Sequence, residues 1–194
     1  MKLYRYLTAV FFSLFTMNLL AEDETDRISL KQLVRFMAEH KEIHATFEEK
    51  KYIKGVNAPI ESSGELVFVA PSTMIRNTLH PKPEMFKMAG NTITMERQGK
   101  TRSLYIDDYP EISLHFEGMR ALLAGDVERL TYLYAVKLTG TLSDWKLALS
   151  PFQRDTMLET LNLNGSRGIV KTVEVRLKDG DYSIMSVSKK DSQD

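Results

Sequence analysis

The side chains able to do chemistry come first, and few of them form a usable pattern. His40 and His44 stand four apart, the spacing that brings two imidazoles onto one helix face as zinc ligands. The residue after His40 is Lys41, where a zinc metalloprotease motif needs its glutamate base, so the pair reads as two solvated side chains at a helix end. His80 precedes Pro81 in an expected loop. Asp107-Asp108 opens a loop before Pro110, and Asp179 and Asp181 flank Gly180, where aspartate bonds locally to turn backbone. General acid–base chemistry needs two carboxyl groups in contrasting environments across a cleft. An enzyme would have to bring Asp107, Asp108, Glu111 and His115 into one cleft, which is the weakest of the readings. No serine lies in a Gly-x-Ser-x-Gly elbow and there is no cysteine, so neither nucleophile is set up. Gly165-Ser166-Arg167-Gly168 imitates the GxxG loop of some RNA-binding domains. The expectation is a chain with no catalytic residue, no metal and no cofactor.

Charge and the N-terminal residues bound what else it does. Lys2 and Arg5 precede a nearly unbroken apolar run from Leu7 to Leu20, then Ala21 and the acidic Glu22-Asp23-Glu24. That order is a secretory signal peptide, and the run is shorter than the ~20 residues of a membrane span. Cleavage after Ala21 leaves residues 22–194 as a single domain. The loss of Lys2 and Arg5 takes the 26 basic residues to 24 against 26 acidic ones. No basic excess remains to neutralise phosphates, so a nucleic-acid partner is excluded. Without cysteine there is neither a disulfide framework nor an acceptor for an N-terminal lipid, and the fold must rest on its apolar core. Ten methionines suit a pliable interior, whether as gap-fillers or as the lining of a pocket.

The elements that position these groups follow from periodicity. Ser29 with Gln32 three later predicts a capping box, and Leu30, Leu33, Val34 and Met37 then form one apolar stripe of a helix over 28–38. The period changes to two at Ile43, Ala45 and Phe47, with Glu48-Glu49-Lys50-Lys51 as a solvated strand end. Leu66, Phe68 and Ala70 alternate with Val67 and Val69, and Pro71 ends that strand. Gly90-Asn91 predicts a hairpin between Met88 and Ile93-Met95; Gln98-Gly99, Asn164-Gly165 and Asp179-Gly180 predict three more turns. Trp145, Leu147 and Leu149, then Leu161 and Leu163, then Val173, Val175 and Leu177 give further strands. Between the two strand groups, Ile112, Phe116, Met119, Leu122 and Leu123 recur near helical spacing, Gly125 stops that helix, and Asp126 caps another short one. Strand period resumes at Tyr132, Tyr134, Val136 and Leu138. Short runs joined by tight turns make an antiparallel meander with a helical insert.

This order resembles the LolA/LolB family of carriers and receptors for outer-membrane lipoproteins. The likeness rests on Phe47-Glu48-Glu49, on Gly64-Glu65-Leu66-Val67-Phe68-Val69-Ala70-Pro71, on Pro81 downstream and on Gly90-Asn91-Thr92. The segment Gly118-Met119-Arg120-Ala121-Leu122-Leu123-Ala124-Gly125-Asp126 looks most like the LolA-related proteins of aryl-polyene and similar polyketide-lipid pathways. The resemblance implies an α+β fold: an incompletely closed antiparallel β-barrel with a helical lid over an apolar cavity. It implies that Leu66, Phe68 and Ala70 point inward, that Met74 occupies a cavity position, and that Met119, Leu122 and Leu123 belong to the lid. With Leu33, Met37, Phe47, Ile93 and Met95 these are the candidate lipid-binding residues. Two positions depart from the family. Glu49 replaces a glutamine of the early strand, and Ala70 replaces the arginine that in lipoprotein carriers ties barrel to lid.

Taken together, the expectation is a monomeric periplasmic carrier that binds the acyl chains of lipoproteins or lipid-linked intermediates. Its partners would be an apolar lipid ligand and transfer proteins of the inner and outer membranes. A lipid-sensing or protein-interaction module of the same fold is the alternative, and an enzyme on acyl substrates the third.

Overall fold

The computed structural model describes residues 27–190, and for Pro110, Glu111, Ile112 and His115 their backbone alone. The expected signal segment, residues 1–21, lies outside the described residues, as do the side chains of Glu111 and His115. The described residues open with helix α1 (Leu30–Ala38) and continue through six strands: β1 (Glu42–Tyr52), β2 (Ile60–Val69), β3 (Thr73–His80), β4 (Glu84–Ala89), β5 (Thr92–Arg97) and β6 (Lys100–Tyr105). A 3₁₀ turn (Ile106–Asp108) leads into α2 (Pro110–Ala124) and α3 (Val127–Leu133). Five strands complete the fold: β7 (Tyr134–Gly140), β8 (Trp145–Pro151), β9 (Leu158–Ser166), β10 (Ile169–Leu177) and β11 (Tyr182–Lys189).

All eleven strands lie in one antiparallel sheet, ordered β6-β5-β4-β3-β2-β1-β11-β10-β9-β8-β7. The first and last strands pair at its centre, Phe47 opposite Val187. The two edges, β6 and β7, do not pair, so the barrel is incompletely closed, and the chain crosses from one edge to the other through α2 and α3. The inward face is read directly from the register. Phe68 stands opposite Met74, Met74 opposite Met88, and Met88 opposite Ile93; on the other side Val173 faces Leu163, and Leu163 faces Leu147.

Helix α1 forms where the capping box predicts. The Gln32 N–H donates to Ser29 Oγ at 3.3 Å and the Ser29 N–H to Gln32 Oε1 at 2.9 Å. Its stripe buries Leu33, Val34 and Met37 to 1% exposure or less, each contributing roughly 1.5–3 kcal/mol. Gly125 ends α2 at φ +85°, and Asp126 caps α3 by accepting from the Arg129 N–H at 2.8 Å. Arg129 also bonds Glu117, tying α3 to α2.

Four local expectations are corrected. Asn164-Gly165 is not a turn: both residues lie within β9, and the chain reverses at Arg167 (φ +54°) and Gly168. The Trp145 ring decides this, since a Cβ on Gly165 would stand 2.3 Å from Trp145 Cζ2 and 2.2 Å from the Ile169 carbonyl oxygen. Gly165 is a glycine because an indole covers it. Tyr132 belongs to α3, and β7 begins at Tyr134. His80 closes β3 rather than lying in a loop. Glu48 to Lys51 continue β1 as paired residues, so the strand does not end there.

Candidate functional site

The inward face of the sheet carries two apolar clusters. In the larger, α1, α2 and α3 pack on β7 to β10: Leu33, Val34, Met37, Leu122 and Leu130 meet Trp145, Leu147, Leu149, Leu161 and Leu163. In the smaller, Met88, Ile93 and Ile106 gather Met74, Phe86, Met95, Leu104 and Phe116. Helix α2 reaches both, because Leu122 sits in the first and Phe116 stacks on Phe86 with ring centroids 5.3 Å apart. Between the clusters runs a floor formed by β1 and β2, with Ala45, Phe47 and Phe68 at 3%, 2% and 5% exposure.

The candidate residues divide along these lines. Leu33, Met37, Met119, Leu122 and Leu123 lie in or against the helix cluster, while Met74, Ile93 and Met95 lie in the smaller one. Phe47, Leu66 and Phe68 belong to the floor between them. Ala70 falls just past the end of β2, where its N–H donates to the Lys41 carbonyl at 2.8 Å. It serves the β2–β3 turn and is not part of a strand face.

Sequence reasoning missed the polar feature of this face. Arg76 of β3 points inward, opposite Leu66 and Phe86. Its Nη2 donates to Glu49 Oε2 at 2.6 Å and to Ser62 Oγ at 3.1 Å, and its Nε to Thr78 Oγ1 at 3.4 Å. The guanidinium lies over the Phe47 ring, 4.2 Å from its centroid. Glu49, expected at a solvated strand end, instead faces inward with 15% side-chain exposure. Following the period of Ile43, Ala45 and Phe47 one step further would have placed it inward.

A second polar contact holds the helices. Tyr134, 1% exposed, donates its hydroxyl to the Leu114 carbonyl of α2. Burial pushes its phenol well above the ordinary tyrosine value, and the Glu117 charge adds to the shift.

The other candidate groups are spent locally. His44 faces outward and contacts Glu42 Oε1 at 2.7 Å with both side chains more than half exposed, so His40 and His44 do not share a helix. Asp107 accepts from Asn91, and Asp181 takes the Lys54 N–H at 2.9 Å. The Asp181 N–H in turn donates to Asp179 at 2.9 Å. Among the described residues no group of three or more histidine, cysteine or acidic side chains is placed to hold a metal. No described helix is long and apolar enough to cross a membrane.

Two open clefts border the sheet. One, of about 530 Å³, is bounded by Asn77, Leu79, Lys82, Glu84 and Gln98 at the β3–β4 end. The other, of about 500 Å³, is bounded by Glu48, Lys50, Tyr52, Glu61 and Ile184 and reaches Glu49 and Ser62, the partners of Arg76. Both have charged walls, and none of the candidate lipid-binding residues lines either.

The helix-backed face of an open antiparallel sheet agrees with a match along nearly the whole chain. Residues 24–188 match the family described as outer membrane lipoprotein carrier protein LolA-like. The chain belongs to that family. Among curated proteins, none matches the sequence. A LolA superfamily protein from Nitrosomonas europaea superposes with a TM-score of 0.47 at 9% identity, covering 84% of this chain and 92% of that one. The Mycobacterium tuberculosis lipoprotein LppX gives 0.41 at 9% identity, over 82% and 95% of the two chains. MucB in its complex with MucA from Pseudomonas aeruginosa gives 0.38 at 13% identity, covering 82% of this chain and 55% of that one. The described residues of this LolA-like chain form an open antiparallel sheet backed by three α-helices.

Proposed function

We propose that this protein is a soluble, monomeric periplasmic carrier. It binds the acyl chains of lipoproteins or lipid-linked intermediates and moves them toward the outer membrane. On this reading residues 1–21 export the chain and are removed, and residues 22–194 act as one domain. Transfer proteins at the inner and outer membranes load and unload it. Within the family we place it with the LolA-related proteins of aryl-polyene-type pathways, on the Gly118–Asp126 segment.

The observation that carries the proposal is the inward face itself. Phe47, Leu66 and Phe68 of the floor continue into Met74, Ile93 and Met95 of the smaller cluster as one apolar surface, and the helices that flank it are held there by apolar packing and few polar bonds. An acyl chain laid on that floor gains about 0.8 kcal/mol per methylene, against roughly 4–15 kcal/mol for the freedom lost on association. A chain of sixteen carbons gains about 12–13 kcal/mol, which exceeds all but the upper end of that cost. Leu33, Met37, Phe47, Phe68, Ile93 and Leu122 are all closed off in the present arrangement, so loading moves α1 and α2 away from the sheet. Met37, Met74, Met95 and Met119 give the pliable lining that such a motion and a variable ligand ask for.

The carboxylate pairs are engaged in turns, and this supports a binding role over catalysis. The test is to purify the mature protein from cells with native envelopes and extract it for mass spectrometry. Stoichiometric acyl lipid is the expected result. An empty protein that also fails to take up added lipid would sink the proposal.

A further inference from the structure

The inward face changes polarity along the strands. Strand pairing sets Ile43, Phe68, Met74, Met88, Ile93 and Leu104 in one row, all apolar. The next row places Ala45, Leu66, Phe86 and Met95 beside Arg76, with the exposed Lys189 and Arg102 flanking it on β11 and β6. Beyond it stand Phe47, Gly64, Thr78 and Glu84, and then Glu49 with Ser62. The floor is therefore apolar at one end and hydrogen-bonding at the other, and Arg76 marks the boundary.

Arg76 is held rather than loose. A guanidinium carries five N–H donors in a fixed fork. The Nε donor and the two on Nη2 serve Thr78, Glu49 and Ser62, while Nη1 donates to no described residue. Stacking on Phe47 fixes its plane, and 28% side-chain exposure leaves it reachable from the face. Two preoriented donors thus border the apolar floor.

The companion charge decides what they take. Glu49 lies 2.6 Å from Arg76 and cancels its charge. An anionic head group would meet that carboxylate at close range, whereas a neutral acceptor meets only the free donors. We infer that Arg76, positioned by Glu49 and Phe47, anchors the ester or amide carbonyl of an uncharged acyl ligand. The chain of that ligand runs over Leu66 and Phe68 toward Met74. This inference rests on the carrier reading above and adds the ligand's head-group class and its direction.

The test uses two probes alike except at one atom: monopalmitoylglycerol, which has the ester carbonyl, and hexadecyl glyceryl ether, which lacks it. Binding is read by displacement of the neutral dye N-phenylnaphthylamine, with palmitate as the anionic comparison. A hydrogen bond to a charged donor predicts that the ester binds about tenfold tighter than the ether, or more. Palmitate should bind more weakly than the ester. In the paired variant Glu49→Gln with Arg76→Met, the ester should fall to the level of the ether while the ether is held as before. A purely structural ion pair would not move this ratio. Equal binding of both probes by the native protein, a preference that survives in the variant, or palmitate binding tighter than the ester overturns the inference and leaves the carrier standing. Failure to bind either uncharged probe overturns both. Should the variant not fold, the carbonyl stretch of the bound ester decides in the native protein: a shift to lower frequency than in hexane supports the anchor, and no shift refutes it.

Discussion

Replacing Gly118 by alanine is expected to loosen the lid although it improves the helix. Alanine in a helix interior is ordinarily better than glycine by about 0.8–1 kcal/mol. Here an added Cβ would stand 2.6 Å from the Tyr134 hydroxyl oxygen and 2.8 Å from its Cε2 and Cζ, short of ordinary contact by roughly 1 Å. Tyr134 cannot step aside cheaply. It is 1% exposed, and its hydroxyl is bonded to the Leu114 carbonyl, the group that helical geometry directs at the Gly118 N–H. Overpacking costs about 1–3 kcal/mol and loss of the hydroxyl bond about 1 kcal/mol more. The net expectation is a destabilisation of about 2 kcal/mol, or roughly 4–8 °C in Tm for a chain of this size. The assay is a double-mutant cycle by thermal or urea unfolding, with Tyr134→Leu as the second change because it removes all three crowding atoms. In that background Gly118→Ala should become neutral or stabilising. If the two changes add within about 0.5 kcal/mol, the contact between α2 and Tyr134 is not what holds this helix.

Other outcomes follow from the same geometry. Gly165→Ala should destabilise by about 2 kcal/mol or more and shift the emission of Trp145, the only tryptophan; an unchanged spectrum would remove the explanation offered for the β9–β10 turn. Ser29→Ala should cost about 1 kcal/mol and raise amide exchange in α1 before it affects the sheet, whereas uniform exchange would show that the capping box does not hold the helix. Stability should also depend on Tyr134 at alkaline pH. Its folded pKa is raised above the unfolded value of about 10, so above that pH the unfolded state binds fewer protons. Stability is then complete below about pH 10 and falls as pH rises past it. Tyr134→Phe should flatten that part of the unfolding profile, and an undiminished slope in the variant would assign it to another group.

What could be read in the sequence was local or periodic. The Ser29–Gln32 box, the Gly125 stop and the Gly90-Asn91, Gln98-Gly99 and Asp179-Gly180 turns are short-range devices. Backbone geometry at those positions needs what the residues supply. Asn164-Gly165 has the same appearance, yet its glycine answers to a tryptophan twenty residues earlier in the chain, a demand that no local pattern carries. Glu49 and Arg76 show the same limit. Each is an ordinary charged residue in its own strand, and only the pairing of β1, β2 and β3 brings them together over Phe47. The apolar strand positions were legible because period two marks one face, and the helical ones because helical spacing marks one stripe. Their division into a helix-covered cluster, a smaller cluster and a floor between depends on where α2 crosses, and periodicity does not encode that.

The central claim is that an acyl chain lies between the inward face and the helices. A palmitoyl probe carrying a photoreactive group along its chain tests it directly, with labelled peptides located by mass spectrometry. Labelling should concentrate on β1 to β3, at Phe47, Leu66, Phe68 and Met74, and on α2 near Phe116. Labels confined to Lys82 and Glu84, or to the outward Glu48, Lys50 and Glu61, would contradict the claim.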